Sequence, residues 1–99
     1  MDIGQEKIGK STVVLTLNGR LDTVNAPLLE SKIKEQKDIT ELELDFQGIS
    51  YISSMGLRVL LQAKKEMKVG GVKMSIKNMR DSVREIFEMT GFLNLMGQE

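Results

Sequence analysis

"ELELDFQGISYISSMGLRVLLQAKKEMKVGGVKMSIK", residues 41–77, changes its hydrophobic period twice. Over residues 41–46 Leu42, Leu44 and Phe46 alternate with Glu41, Glu43 and Asp45, the period-two signature of a half-buried strand. Residues 72–77 repeat it, with Val72, Met74 and Ile76 against Lys73, Ser75 and Lys77. Between them, Ser54 to Lys68 places Leu57, Leu60, Leu61, Ala63 and Met67 on one broad helical arc and Arg58, Gln62, Lys65 and Glu66 opposite. Lys64 and Lys68 intrude on that arc, where their stems can lie on apolar surface while the ammonium groups reach water. Strand, helix, Gly70-Gly71 and strand together predict a right-handed βαβ unit with two parallel, neighbouring strands. The polar faces of those strands carry Glu41, Glu43 and Asp45 beside Lys73 and Lys77, so opposite charges are expected to pair across a solvated surface. A sheet covered on both faces would show continuous apolar runs instead.

Outward from this unit, "STVVLTL" (11–17) sets Val13, Leu15 and Leu17 on one strand face, and "DIGQEKI" (2–8) reads as a weaker strand joined through Gly9 and Lys10 as a hairpin. "NGRLD" (18–22) reads as a loop. "NAPLLESKIKEQK" (25–37) spaces Leu29 and Ile33 at i, i+4, with Asn25 or Ala26 near the cap and Pro27 in the first turn, and predicts a helix. "RDSVREIFEMTGF" (80–92) predicts another, through Val83, Ile86 and Phe87, with Gly91 as its stop. The apolar tail "FLNLMG" (92–97) is expected to pack as a short turn or helix, and Met67, Met74, Met79 and Met89 are expected to fill the core. The expected fold is α/β: one small domain over residues 1–99, a mixed sheet of about four to five strands, helices packed on one face and water on much of the other.

Composition narrows the function. A chain of 99 residues buries about 60 to 70% of its unfolded surface, enough for one core and no large internal active-site cavity. Fourteen basic residues balance fourteen acidic ones, which argues against nucleic acid or a polybasic membrane contact and for protein partners. Without cysteine there is no disulfide or thiolate metal site, and without histidine the commonest general base and metal ligand is missing. No metal or cofactor is expected. With no apolar signal core in "MDIGQEKIGK" and no apolar run near the ~20 residues of a membrane span, the expected setting is cytoplasmic.

Residues 47–53 read as the connection at the carboxyl end of a strand, where open α/β sheets tend to place their sites. Ser53 or Ser54 then occupies the cap of the following helix, where free N–H groups and the helix dipole favour negative charge. A phosphoserine, at about −1.5 to −2 charge, sits comfortably there. Gly56 removes a side chain from the first turn and lets another backbone or a partner approach. Met55, just after the serines, is placed to offer apolar contact to that partner. As a nucleophile, Ser54 would have only lysine or a carboxylate as base, and no Ser-x-x-Lys or nucleophile-elbow motif accompanies it. A binding protein, not an enzyme, is the expectation.

"LNGRLDTVNAPLLE", "ELELDFQGISYISSMGLRVLL" and "KMSIKNMRDSVREIFEMTGF" resemble, in order and spacing, the bacterial anti-sigma factor antagonists of the STAS domain family. That resemblance implies a module whose unphosphorylated form binds an anti-sigma factor and so releases a sigma factor. The implied partner is a serine kinase with a histidine-kinase-like ATPase fold, and a serine phosphatase reverses its mark. The family's loop usually reads Asp, Ser, then Ser, Thr or Ala, then Gly-Leu. Gly56-Leu57 fixes the register here, so Ser54 matches the phosphorylated serine, while Ser53 stands where aspartate is usual and Met55 where a small residue is usual. Asp22 matches an acidic position of the early loop, with Gly19 in its turn motif; the plain alternative for Asp22 is a solvated turn or Asx cap. The expected partner surface is Gly19, Asp22, Ser53, Ser54, Met55, Gly56 and Arg58. The other reading is an accessory STAS subunit for lipid or small-molecule transport, without a phospho-switch.

Overall fold

The computed structural model describes residues 1–92 and 94. Four strands and three helices follow one another as β1 (Asp2–Ile8), β2 (Thr12–Leu21), α1 (Ala26–Lys34), β3 (Glu41–Ile52), α2 (Ser54–Val69), β4 (Lys73–Lys77) and α3 (Asp81–Thr90). The sheet order is β1-β2-β3-β4. β1 and β2 form the expected antiparallel hairpin, turning at Gly9 with φ +69°, and β3 and β4 are the expected parallel neighbours. β2 is also parallel to β3, so α1 is a second crossover helix.

The alternating apolar residues decide which face is covered. Val13, Leu15 and Leu17 of β2, Leu42, Leu44 and Phe46 of β3, and Met74 and Ile76 of β4 form one buried cluster. Leu29 and Ile33 of α1, Leu57, Leu60 and Ala63 of α2, and Val83 and Phe87 of α3 belong to the same cluster. All three helices therefore pack on one face of the sheet. Lys64 lies at the margin of α2, where its Nζ donates to the carbonyl of Met74 at 2.6 Å.

Several expectations need correction. Both central strands run on past their predicted ends: Asn18–Leu21 and Gln47–Ile52, read as loops, continue the parallel β2–β3 ladder to Leu21 opposite Ile52. Two register shifts accommodate the non-β residues of this extension, with Gly19 at φ +116° and Gly48 beside Asn18. A Cβ on Gly48 would lie 2.7 Å from the Leu17 carbonyl oxygen, so only glycine lets the strands approach here. Helix α1 stops at Lys34 instead of residue 37, and Asp38, at φ +57°, turns the chain toward β3. Val59 joins the core although it lay off the predicted arc, and Met89 is 86% exposed instead of buried.

The polar face also departs from its pattern. Glu41 stands opposite Lys73 and Asp45 opposite Lys77, yet neither pair approaches within ion-pair distance among the described residues. Local donors take Asp45 instead: its Oδ1 accepts from the backbone N–H of Gln47 at 3.0 Å and from Asn78 Nδ2 at 3.2 Å. Ser75 is buried, not solvated, and its Oγ has no hydrogen-bond partner among the described residues. A buried unpaired hydroxyl costs stability, so Ser75→Ala is expected to be neutral or to stabilise by up to about 1 kcal/mol in urea unfolding. A loss of that size would mean that the hydroxyl is bonded.

Gly91 closes α3 in the left-handed region at φ +76°, as expected. Of the tail, the N–H of Asn94 donates to the Gly91 carbonyl at 3.2 Å. Leu93 and residues 95–99 lie outside the described residues.

Candidate functional site

The carboxyl ends of β2 and β3 lie side by side, and both chains leave the sheet there. Ser53 N–H donates to the Leu21 carbonyl at 2.9 Å, which draws the Leu21–Asp22 crossing against the Ser53–Ser54 crossing. β3 holds Ser53 in extended geometry, φ −96° and ψ 171°, and the helix begins at the next residue. Ser53 Oγ accepts from the N–H of Gly56 at 3.1 Å while the Ser53 carbonyl accepts from Leu57 N–H at 3.0 Å. Ser53 is therefore the N-cap of α2, and the two serines have different roles.

Ser54 is the first helical residue. It is exposed, and its Oγ has no hydrogen-bond partner among the described residues. The backbone N–H groups of Ser54 and Met55 also lack acceptors among those residues, so the helix presents open donors beside a free hydroxyl. Met55 is 37% exposed. Arg58, four residues along the helix from Ser54, is exposed, and its guanidinium has no acceptor among the described residues.

The neighbouring β2–α1 loop is held by its own acid. Asp22 Oδ1 accepts from Asn25 N–H at 2.9 Å and the Asp22 carbonyl accepts from Ala26 N–H at 2.8 Å, an Asx-type turn into α1. The Asx alternative weighed for Asp22 is thus its local role, while Oδ2 lies 4.0 Å from Arg20 Nε. Arg20 and Tyr51 are register partners, and the guanidinium lies 4.3 Å from the ring centroid. Asn25 Nδ2 donates to the Arg20 carbonyl at 2.9 Å, tying loop to strand end. Tyr51 at 38% exposure and Val24 at 80% add apolar surface to this end. Arg20 and Tyr51 were not singled out from the sequence, and Asn25 was read there only as a cap candidate for α1, a position it holds without a side-chain cap bond; only the β2–β3 register, invisible in either strand alone, brings arginine over tyrosine.

Gly56 and Gly19 are placed differently from the rest of the expected surface. Gly56 is buried, and a Cβ there would lie 2.7 Å from the Leu21 carbonyl oxygen and 2.9 Å from Ile52 Cγ1. The close approach that glycine permits is therefore between α2 and its own sheet. Gly19 lies within β2, paired with Ile49, not in a turn with Asp22; its carbonyl accepts from Ser50 Oγ at 3.3 Å. The structure brings Ser53, Ser54, Met55, Arg58 and Asp22 to one end of the molecule. It leaves Gly56 beneath that surface and Gly19 along the strand.

Comparisons with known proteins bear on the family and the fold. Residues 5–98 match the STAS domain family. BtrV of Bordetella bronchiseptica, named as a candidate anti-sigma factor antagonist, is 33% identical over 96% of this chain and 83% of its own. The anti-sigma F factor antagonist of Lysinibacillus sphaericus is 25% identical, over 87% of this chain and 76% of its own. Among solved structures, the anti-sigma factor antagonist SpoIIAA in its unphosphorylated form superposes with a TM-score of 0.72 at 23% identity, covering 89% of this chain and 83% of SpoIIAA. Its phosphorylated form, described as a Bacillus cell fate determinant, gives 0.71 at 24% identity over 99% and 91%.

Proposed function

The chain belongs to the STAS domain family, and on that premise we propose that it is an anti-sigma factor antagonist whose docking end is switched by phosphate on Ser54. In the unphosphorylated form this end binds an anti-sigma factor, which then lets go of its sigma factor. The partner is a serine kinase with a histidine-kinase-like ATPase fold, and a serine phosphatase restores the binding form. Likeness to curated antagonists along nearly the whole chain supports the role, and the existence of SpoIIAA in two phosphorylation states supports the switch.

One observation carries the choice of residue. The Ser53 hydroxyl is already committed to the Gly56 N–H, half-buried at the cap, whereas the Ser54 hydroxyl is exposed and unbonded among the described residues. A kinase must reach a hydroxyl from solvent, and of the two serines Ser54 is the more exposed and offers its hydroxyl without disturbing the cap bond. Serine and aspartate are both strong N-caps, so Ser53 keeps the cap where the family usually has aspartate. Phosphate at the first helical position meets open N–H groups and the positive end of the dipole, so the modified surface changes without melting α2. Among the described residues no helix is long and apolar enough to cross a membrane.

Incubation with the cognate kinase and Mg-ATP is expected to add one phosphate, lost in Ser54→Ala and retained in Ser53→Ala. Ser53→Ala is expected instead to lower stability by about 1 kcal/mol through loss of the cap. Phosphate mapping to Ser53 or Ser50 by mass spectrometry would overturn the assignment.

A further inference from the structure

Arg58 stands out once the site is built. Residues at i and i+4 on a helix are surface neighbours, and Ser54 and Arg58 hold those positions on the exposed side of the first turns of α2. The other charged side chains described at this crossing, Arg20 and Asp22, already have contacts. Arg20 lies over Tyr51 and near Asp22, and Asp22 holds the Asn25 N–H. Arg58 has no such contact among the described residues, so its guanidinium is available to whatever appears beside it. A phosphate on Ser54 would introduce a dianionic group with three acceptor oxygens, which a guanidinium can meet with two parallel N–H donors.

We infer that phosphate on Ser54 is received within its own helix by Arg58, so that modification both adds charge to the docking end and withdraws Arg58 from it. This rests on the proposed switch and deepens it. The unmodified surface presents Arg58, without an acceptor among the described residues, beside Met55, suited to an acidic group on a partner. The modified surface presents a phosphate partly neutralised by that same cation, and the partner's acidic group then loses its counter-charge and faces an anion instead. One modification thus changes the surface twice. Of the other charged groups at this end, Asp22 across the crossing opposes the phosphate and Arg20 is held by its ring contact, so Arg58 is the group with freedom to respond.

The test installs phosphoserine at position 54 of the full chain by genetic encoding or semisynthesis, which makes it independent of any kinase. If the kinase assay fails, the switch fails, and this experiment still reports on the pairing. Phosphorus NMR follows the second ionisation of the phosphate, near pH 6 for an unperturbed phosphoserine. An attractive guanidinium favours the dianion. The midpoint in the otherwise unaltered chain is therefore expected to lie a few tenths of a pH unit below that in Arg58→Gln, the size that helix ion pairs produce. Arg58→Lys is expected to recover part of the shift, as a point charge without the bidentate fork. Equal midpoints in the parent chain and Arg58→Gln would overturn the pairing.

Discussion

Gly56→Ala is expected to lower stability by about 2 kcal/mol, on the order of a 10 °C fall in Tm for a domain of this size. Helix propensity alone predicts the opposite sign, since alanine is better than glycine in a helix interior by about 1 kcal/mol. Packing wins because the added methyl meets groups that cannot swing away. Its ideal position lies 2.7 Å from the Leu21 carbonyl oxygen and 2.9 Å from Ile52 Cγ1, well inside van der Waals contact. That carbonyl also accepts the Ser53 N–H that fixes the entry to α2. Relief requires moving the helix start off the sheet, and Ser54 moves with it. The variant is therefore expected to be phosphorylated more slowly even at temperatures where it is fully folded. Thermal unfolding followed by circular dichroism checks the first effect and initial phosphorylation rates the second. Unchanged Tm with weakened partner binding would instead make Gly56 an opening for a partner, the role its sequence context first suggested.

Gly56 also illustrates what a sequence carries and what it does not. Strict alternation in residues 41–46 and 72–77, with an apolar arc between, leaves little freedom in fold, because only one arrangement buries all three stripes together. The ends of β2 and β3 were hidden because their last residues lack that alternation. Asn18, Gly19, Gln47, Gly48 and Ser50 carry turn chemistry, and they become strand only because each segment supplies the other's hydrogen bonds through two register shifts. Which serine caps α2 depends in turn on where β3 stops, and β3 stops where Leu21 ends its pairing with Ile52. Capping rules could place the cap at Ser53 or Ser54 but not choose between them; the family resemblance puts the modified position at Ser54, and the end of β3 leaves the cap to Ser53. For Lys64 only the marginal position was legible: its ammonium group, expected to reach water, donates instead to the Met74 carbonyl of the neighbouring strand.

Phosphorylation of Ser54 is expected to weaken binding to the anti-sigma factor by at least about a hundredfold, which corresponds to about 2.7 kcal/mol. Two physical routes lead to a loss of that kind, and they respond differently to salt. If the charge acts at a distance on an acidic partner, raising ionic strength toward 1 M, where the Debye length is about 3 Å, should restore much of the affinity. If the phosphate must be dehydrated in a close contact, salt restores little, because desolvation of an anion only partly neutralised within its own helix is not screened away. The surroundings favour the second route. Ser54 stands beside Met55, which is 37% exposed, on an end that also carries Tyr51 at 38% and Val24 at 80%, an apolar setting suited to a dry contact. Aspartate at this position carries less charge and fewer acceptors, so Ser54→Asp is expected to lose less than the phosphoprotein while keeping the same insensitivity to salt. Isothermal titration of the unmodified, phosphorylated and Ser54→Asp proteins at low and high salt distinguishes the cases. Equal affinities for the unmodified and phosphorylated forms would remove the switch and leave a constitutive binder on the same fold. Full recovery in salt would keep the switch but move its origin from contact desolvation to long-range repulsion.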